Sequence, residues 1–599
     1  MQASIHDLLV TQAGRSPVAD ALLGLNRPPL SYEDLLALVR RTVRALNARG
    51  IAANDRVGIV LPNGPEMATC FLSVACAAVC APLNPAYRAE EFEFYLADLN
   101  AKAVIVQEGA DSPVRAVAAA LGIALLELSP RVDGPAGWFD LIHGNPQSAE
   151  ASFAGAGDVA LVLHTSGTTS RPKIVPLTHE NLVRSAETIR RTLRLEPADR
   201  CLNVMPLFHI HGLVGVVLSS MAAGASVACA PGFQAPRFFV WLDEFRPTWY
   251  SAVPSIHQAI LERAPQNQEI TRSSRLRFVR SSSSALAPKV MAGLEEVFHA
   301  PAIEAYGMTE ASHQMASNPL PPGIRKPGSV GLATGVEVAI MNDAGDLLSA
   351  GETGEVVIRG ASVTAGYENN PQANAASFTN GWFRTGDQGY LDPAGYLFLT
   401  GRLKEIINRG GEKISPREID EVLLDHPSVA QALAFAVPDD KLGETVAAAV
   451  VLRPGARATD VELREFAARH LADFKVPQRL LILDEIPHGP TGKLQRIGLA
   501  EKLGLTGAES KPLAPPRTFR PAENETEAAL CRLWEEILGM EPIGTDDDFF
   551  RLGGDSILAS QFLKRLRELT GSELSMVRFF EAPTVSAVAR QITVAEPAD

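Results

Sequence analysis

The chain of 599 residues has few cysteines, few aromatic residues and no cluster of basic residues. Six cysteines in a chain of this length do not form the disulfide framework of a small secreted protein. Cys70, Cys76 and Cys80 have no histidine or carboxylate at metal-ligand spacing, so we expect buried free thiols and a cytoplasmic location. The formal net charge of −14, without a Lys/Arg block, argues against nucleic acid as a partner.

A long apolar segment is also missing. The longest apolar stretch, about residues 67–83, is rich in Ala, Cys and Ser and is short for a bilayer span. We therefore predict a buried helix there and no membrane span. The N-terminal residues show no basic start followed by an apolar run, so we expect no secretory signal peptide.

Apolar runs and amphipathic stretches alternate through most of the chain, as in RVGIVLPNG from Arg56 and AKAVIVQEG from Ala101. This alternation predicts βαβ units, with helices covering a mixed or parallel sheet. A later proline-rich stretch without apolar periodicity predicts a linker. We expect a large α/β domain over residues 1–398, a small α+β domain over 399–508, the linker over 509–523 and an all-α bundle of three helices over 524–596.

The sharpest local pattern is LVLHTSGTTSRPKIVPLTH, residues 161–179. An apolar strand leads into a run of small residues that ends shortly before Lys173. The run consists of Thr165, Ser166, Gly167, Thr168 and Thr169. Small residues let the backbone approach a polyphosphate, hydroxyl and N–H groups supply donors, and the lysine adds positive charge. The alternative is a flexible Ser/Thr loop, because the pattern is not a Walker motif.

Four further motifs follow in order along the chain. They are AYGMTE (305–310), GWFRTGD (381–387), GRLKEIINRGGEKISPREID (401–420) and PTGK (490–493). Together with the small-residue loop they resemble the adenylate-forming superfamily of acyl-CoA synthetases, adenylation domains and luciferases, over roughly residues 10–500. Ser170 and Ile174 stand where the family usually has glycine. Both lie at the far end of the loop, so the expected chemistry is retained.

The resemblance implies that ATP and a carboxylate react to form acyl-AMP. Both reactants are anionic, so attack on the α-phosphate requires charge neutralisation. By resemblance Glu310 holds Mg²⁺, Lys173 contacts phosphate, and Lys493 bridges the carboxylate and the α-phosphate. The other nucleotide-binding positions implied are Ser284, Ala285, Tyr306 against the adenine, Gly307, Thr309 against phosphate, and Asp387 and Arg402 near the ribose. The alternatives are a solvated pair of Glu310 with Arg402 and a surface charge at Lys493.

The same resemblance implies a mobile small domain. In this family the small domain rotates between the two half-reactions, which moves Lys493 away and admits a thiol. The hinge then corresponds to Lys404, and a pantetheine tunnel would pass beside Gly410 and Gly411. A gated site of this kind shields the reactive mixed anhydride from water until the thiol arrives.

The segment DDDFFRLGGDSILASQFL, residues 546–563, resembles the phosphopantetheine-attachment site of peptidyl carrier proteins. It would leave Ser556 at the exposed start of a helix, where the helix dipole favours a phosphodiester. We therefore expect 4′-phosphopantetheine on Ser556, a phosphopantetheinyl transferase as a partner, and a downstream enzyme that accepts the acyl group. The alternative is a helix capped by Asp and Ser.

The choice of acid depends on a stretch where amino-acid-activating domains usually carry an aspartate. The equivalent stretch, MPLFHIHGL, has His209 and His211 instead. From about residue 280 to residue 451 the chain resembles oxalate–CoA ligases, in which a serine and histidines bind the second carboxylate. The implied candidates are Ser283, His313 and one of His209 or His211, with His209 also a candidate catalytic residue. A short diacid needs polar donors rather than a long apolar tunnel, although each histidine alone is more often a packed or surface residue.

We therefore expect an ATP- and Mg²⁺-dependent ligase that activates a small carboxylic acid, such as oxalate, and loads the pantetheine of its own carrier domain. The first alternative is a ligase that uses free CoA. The second is a non-catalytic nucleotide-binding scaffold that presents a carrier, and the intact Lys173, Glu310 and Lys493 argue against it.

Overall fold

The computed structural model describes residues 4–142, 150–165, 172–439, 442–487, 496–505, 519–549, 552, 556–572 and 574–592. Several predicted site residues lie outside these ranges: Ser166, Gly167, Thr168, Thr169, Ser170, Lys493 and the side chain of Ser556. The chain forms two compact units, which we call the large unit (Met1–Ile406 with Pro487–Gln495) and the second unit (Ile407–Ile486 with Arg496–Asp599).

The first sheet of the large unit is built from βαβ units near the N-terminus. Its strands follow the order Phe139–Ile142, Ala124–Pro130, Ala103–Gln107, Arg56–Val60, Val79–Pro82, Val159–Thr165 and Lys173–Thr178. The central strands pair in parallel and are rich in buried Val and Ile, as expected when helices cover both faces of a sheet. The associated helices are Ile5–Arg15, Tyr32–Asn47, Pro65–Ala77, Ala89–Asp98, Val114–Leu121 and His179–Thr192.

The apolar stretch at residues 67–83 is not a single helix. A helix covers Pro65–Ala77, begins with proline in its first turn and is buried from Met67 onward. The chain then extends into the strand Val79–Pro82, which pairs in parallel with Arg56–Val60. Composition predicted burial correctly but placed the end of the helix too late, because an apolar run carries no signal that separates buried helix from buried strand.

The second sheet of the large unit is also mainly parallel. Its order is Leu332–Ala333, His313–Ser317, Ala302–Met308, Phe278–Ser282, Trp249–Ala252, Arg200–Asn203, Ser226–Cys229, Asp20–Leu23 and Leu30–Ser31. The helices that follow in the chain are Ser219–Ala223, Ala235–Phe245, Pro254–Arg263, Gln268–Ser273 and Pro288–Phe298, preceded by a π-helix over His211–Leu218. A smaller antiparallel sheet contains Glu337–Met341, Gly354–Arg359, Trp382–Leu391, Phe378–Thr379 and Leu397–Arg402, with the helix Pro371–Ser377 beside it.

The second unit begins with a small α+β region. Its sheet contains Glu412–Ile414, Ile407–Arg409, Gly443–Leu452, Val429–Asp439 and Arg479–Ile482, accompanied by the helices Pro416–Asp425, Asp460–Ala468 and Leu499–Lys502. The C-terminal helices are Glu525–Leu538, Ser556–Thr570, Met576–Glu581 and Val585–Ile592. They share an aromatic core of Trp534, Phe549, Phe562 and Phe579.

These features confirm the predicted fold class, an α/β large domain, a small α+β domain and a helical carrier region. The sequence predicted three carrier helices, whereas the structure adds the short helix Met576–Glu581, which Ser575 caps at its start. Within the described ranges no helix is both long and apolar enough to cross a bilayer.

Candidate active site

The predicted phosphate loop connects two strands that pair with each other. Thr165 ends the strand Val159–Thr165 and lies directly opposite Lys173, the first residue of the antiparallel strand Lys173–Thr178. The next helix, His179–Thr192, starts at once, because the Thr178 hydroxyl accepts a hydrogen bond from the Asn181 backbone N–H at 3.1 Å. This hairpin fixes the position of the Lys173 backbone beside the loop.

Glu310 and Lys173 share the surroundings of one aromatic ring. The Nζ of Lys173 lies 4.3 Å from the ring centroid of Tyr367, a cation–π distance. The Tyr367 hydroxyl donates a hydrogen bond of 2.9 Å to Oε1 of Glu310. Burial lowers the pKa of Lys173 and raises the pKa of Glu310, which is only 6% exposed. A buried carboxylate of this kind fits Mg²⁺, which takes oxygen ligands and often binds one or two carboxylates together with substrate phosphates.

The predicted ribose and adenine residues also lie together. The Tyr306 hydroxyl donates a hydrogen bond to Oδ2 of Asp387. The Arg402 Nε donates to Oδ1 of the same carboxylate at 3.2 Å, and the two residues are paired opposite each other in neighbouring antiparallel strands. The charge of Asp387 raises the pKa of Arg402, whereas burial raises the pKa of Tyr306.

Three further residues of the nucleotide motifs lie in or just after strands of the second sheet of the large unit. Ser284 and Ala285 are exposed just beyond the strand Phe278–Ser282. Gly307 lies so close to the neighbouring strand that an added Cβ would come within 1.8 Å of the His313 carbonyl oxygen. Glycine is therefore required at this position by the contact between the two strands.

Two of the predicted substrate histidines form a compact polar cluster with Ser283. The rings of His211 and His313 stack with centroids 5.0 Å apart and an interplanar angle of 26°. His211 Nδ1 lies 3.1 Å from the Ser283 Oγ, and its Nε2 lies 2.7 Å from the Ser251 Oγ. Of the two histidines that the sequence left open, His211 contacts Ser283. The ring of His209 lies against that of its sequence neighbour Phe208.

The backbone around this cluster adopts unusual conformations. His211 starts the π-helix His211–Leu218, a rare form that occurs frequently at functional sites. Ser283 and His313 have positive φ values of 75° and 102°, which non-glycine residues adopt rarely and which concentrate at binding and catalytic sites. An added Cβ at Gly215, within the π-helix, would lie 2.6 Å from His313 Nε2. The cluster therefore depends on a close approach between the π-helix and the strand His313–Ser317.

Arg280 is a site residue that motif comparison missed. It lies in the buried strand Phe278–Ser282 and its side chain is fully buried. Its Nη2 donates to His313 Nε2 at 3.1 Å and to Gln314 Oε1 at 3.0 Å, and its Nη1 donates to Ser251 Oγ at 3.1 Å. None of these partners is a carboxylate, and burial lowers the pKa of Arg280 to about 10. The sequence offers only a weak signal for this residue, an arginine that follows the apolar pair Phe278 and Val279 and precedes four serines. Buried arginine is rare without a partner, so its burial could not be predicted from composition.

The predicted hinge and tunnel residues occupy turns. Lys404 follows Arg402 in a turn of the large unit, and its charge contributes to lowering the pKa of Lys173 after the larger effect of burial. Gly410 and Gly411 form the turn of a hairpin in the second unit, with φ values of 59° and 96°. The turn therefore favours glycine for conformational reasons whether or not a pantetheine passes beside it.

The segment with the predicted lysine of the small domain, residues 488–495, lies outside the described residues. Arg496, which follows it, is held in the second unit. Its Nη1 donates to Oδ1 of the buried Asp420 at 3.1 Å and to the Ala434 carbonyl oxygen at 2.6 Å. Burial raises the pKa of Asp420, and the arginine partly offsets that effect. One end of the segment that carries Lys493 is therefore anchored.

Comparison with known proteins identifies the family. Residues 9–368 match the model of the AMP-binding enzymes, residues 418–493 match the AMP-binding enzyme C-terminal domain, and residues 528–592 match the phosphopantetheine attachment site. The chain belongs to the AMP-binding enzyme family. It is an AMP-forming ligase with a C-terminal phosphopantetheine carrier domain, as the sequence motifs predicted.

Individual relatives cover most of the chain. An oxalate–CoA ligase from Arabidopsis thaliana is 45% identical over 500 residues, which cover 82% of this chain and 97% of the relative. A sulfoacetate–CoA ligase from Cupriavidus necator is 38% identical over 462 residues, 76% of this chain and 89% of the relative. The structure of ATP-bound MatB from Rhodopseudomonas palustris matches with a TM-score of 0.75 at 28% identity, covering 84% of this chain and 99% of that one.

Proposed function

We propose that the enzyme uses ATP to activate a short carboxylic acid with a second anionic group, such as oxalate, and transfers the acyl group to the pantetheine of its own carrier domain. The observation that carries the choice of acid is the cluster of His211, His313 and Ser283 over the buried charge of Arg280. A buried guanidinium without a carboxylate partner favours an anionic ligand nearby, since burying an uncompensated charge is costly. The named substrates of the two ligase relatives, oxalate and sulfoacetate, both carry a second acidic group, which supports the same class.

In the first half-reaction a carboxylate oxygen attacks the α-phosphorus and pyrophosphate leaves. Lys173 and Lys493 reduce the repulsion between the anionic reactants, and Asp387 and Arg402 hold the ribose. Glu310 would hold Mg²⁺, which when bound neutralises phosphate charge. In the second half-reaction the pantetheine sulfur attacks the acyl carbon, and AMP leaves from the mixed anhydride.

The preference for the tethered thiol rests on the linker length. A proline-rich segment of about fifteen residues spans at most roughly 40 Å, which is similar to the diameter of a domain. Tethering of this kind gives an effective thiol concentration of about millimolar. The second candidate is a ligase that uses free CoA, which is favoured by the similarity to an oxalate–CoA ligase and a sulfoacetate–CoA ligase.

Acid-dependent pyrophosphate exchange tests the choice of acid. The panel contains oxalate, malonate and sulfoacetate, the monoacids acetate and propionate, a medium-chain fatty acid and an aromatic acid. We expect the highest kcat/KM for a short acid with a second anionic group. A fatty or aromatic acid with a higher kcat/KM than every short polar acid would contradict the proposal.

A further inference from the structure

The hydrogen bonds of Arg280 determine which atoms of its neighbours accept protons. An arginine side chain has five N–H donors and no acceptor. Its Nη2 lies 3.1 Å from His313 Nε2 within a fully buried site, so this ring nitrogen must accept the hydrogen bond. A protonated imidazole would place two N–H groups against each other without solvent. His313 is therefore neutral and carries its proton on Nδ1.

The second branch passes through Ser251. The Oγ of Ser251 accepts a hydrogen bond from Arg280 Nη1 at 3.1 Å, so its own hydroxyl proton points to another acceptor. His211 Nε2 lies 2.7 Å away and is that acceptor. Arg280 Nη1 lies 3.5 Å from the same nitrogen, which opposes a proton there. His211 is therefore also the Nδ1–H tautomer.

The tautomer of His211 sets the role of Ser283. His211 Nδ1 lies 3.1 Å from the Ser283 Oγ, so the ring donates and the hydroxyl oxygen accepts. The Ser283 hydroxyl proton then remains for a further acceptor. Ser283 is partly exposed, whereas His211 and Arg280 lie buried behind it. The series of hydrogen bonds thus starts at the buried guanidinium and ends with an O–H donor at the accessible side of the cluster.

We propose that Arg280 is a positioning residue that fixes His211 and His313 as Nδ1–H tautomers, directly and through Ser251, and so leaves the Ser283 hydroxyl as a hydrogen-bond donor for an acceptor-only group. The ionised carboxylate or sulfonate of the acid is such a group, whereas a hydroxyl or ammonium group is not. The identity of the ligand rests on the proposed function. The tautomers are a property of the protein and do not depend on it.

Long-range ¹H–¹⁵N correlation spectra of full-length protein labelled with ¹⁵N-histidine report which ring nitrogen carries the proton. The spectra are recorded without substrate at neutral pH, and His211→Gln and His313→Gln assign the two rings. We expect the Nδ1–H pattern at both residues. An Nε2–H pattern or an imidazolium at either ring overturns the proposal, and this result requires no variant of Arg280 to fold.

Variants then test the two branches separately. Arg280→Met should change the tautomer pattern of both rings, and Ser251→Ala should change that of His211 alone. Ser282→Ala is the matched control, because Ser282 is a buried serine of the strand Phe278–Ser282 whose hydroxyl donates to the Ala305 carbonyl oxygen at 3.0 Å. An unchanged His211 pattern in both Arg280→Met and Ser251→Ala would show that the series of hydrogen bonds does not set the tautomer. If Arg280→Met does not fold, Ser251→Ala alone decides this point.

The kinetic result separates positioning from a general loss of structure. Ser251→Ala should lower kcat/KM for the preferred diacid by about 10- to 100-fold, the effect expected for a hydrogen bond to a charged group, and change that for acetate little. An equal loss for both acids overturns the positioning role. If the wild-type tautomers are as expected but fatty acids are the better substrates, the proposed function fails and the tautomer assignment stands.

Discussion

Gly215→Ala tests the close contact on which the substrate cluster depends. The new Cβ would lie 2.6 Å from His313 Nε2, whereas ordinary contacts begin at 3.4 Å. The imidazole must therefore move by about 0.8 Å, the difference between these two distances. This movement also disturbs the 3.1 Å hydrogen bond from Arg280. Since a displacement of about 1 Å in a site can lower the rate roughly 100-fold, we expect kcat/KM for the diacid to fall by roughly 30- to 100-fold.

The assay is acid-dependent pyrophosphate exchange with the preferred diacid and with acetate, combined with thermal unfolding. Overpacking should also lower the free energy of unfolding by about 1–3 kcal/mol. Gly14→Ala is the control, because Gly14 lies in the helix Ile5–Arg15 and an added Cβ there meets nothing within 4 Å. If folded Gly215→Ala kept the wild-type kcat/KM for the diacid, the cluster would not form the acid pocket.

Three further variants test other parts of the site. Lys493→Ala should remove adenylation but still form thioester from supplied acyl-adenylate, and an equal loss of both half-reactions would contradict the two-step role of the small domain. Glu310→Gln should abolish Mg²⁺-dependent exchange yet raise the free energy of unfolding at pH 7.5 by about 0.5–2 kcal/mol. Burial raises the pKa of Glu310 above 4.5, so folding favours the neutral carboxyl group. This contribution to stability is lost as the pH rises from 4.5 through the folded-state pKa. A lower unfolding temperature in Glu310→Gln would contradict the predicted gain in stability. His313→Ala should cost about 1–3 kcal/mol of discrimination between diacid and monoacid, measured as a ratio of kcat/KM values.

The fold was largely predictable because its signals are local. Alternating apolar runs indicated the α/β class, and the carrier domain was indicated by the resemblance of residues 546–563 to a phosphopantetheine-attachment site. The proline-rich linker stays a prediction, because most of it lies outside the described residues. The boundary near Ala77 was wrong since helix and strand are both buried there and share the same apolar residues. The short helix Met576–Glu581 was missed because six residues carry too little periodicity to detect.

The site was predictable only where motifs carry it. The motifs supplied Ser283, His211 and His313 as candidates, and the structure brings these three together. They did not supply Arg280 or Ser251. These two residues lie opposite each other in paired buried strands, and each contacts a histidine from a different part of the chain. The motifs also gave no reason to prefer His211 to His209 as a pocket residue. The π-helix that starts at His211 and the contact of this residue with Ser283 are seen only in the structure.

Intact-protein mass spectrometry tests the central claim most directly. Protein carrying 4′-phosphopantetheine on Ser556 is incubated with ATP, Mg²⁺ and oxalate in the presence of free CoA, at several protein concentrations, with Ser556→Ala as the control. The account predicts that the oxalyl mass appears on the pantetheine arm at a first-order rate that does not depend on protein concentration, and that Ser556→Ala abolishes this gain but keeps pyrophosphate exchange. A loading rate proportional to protein concentration, or oxalyl found only on free CoA, would contradict it.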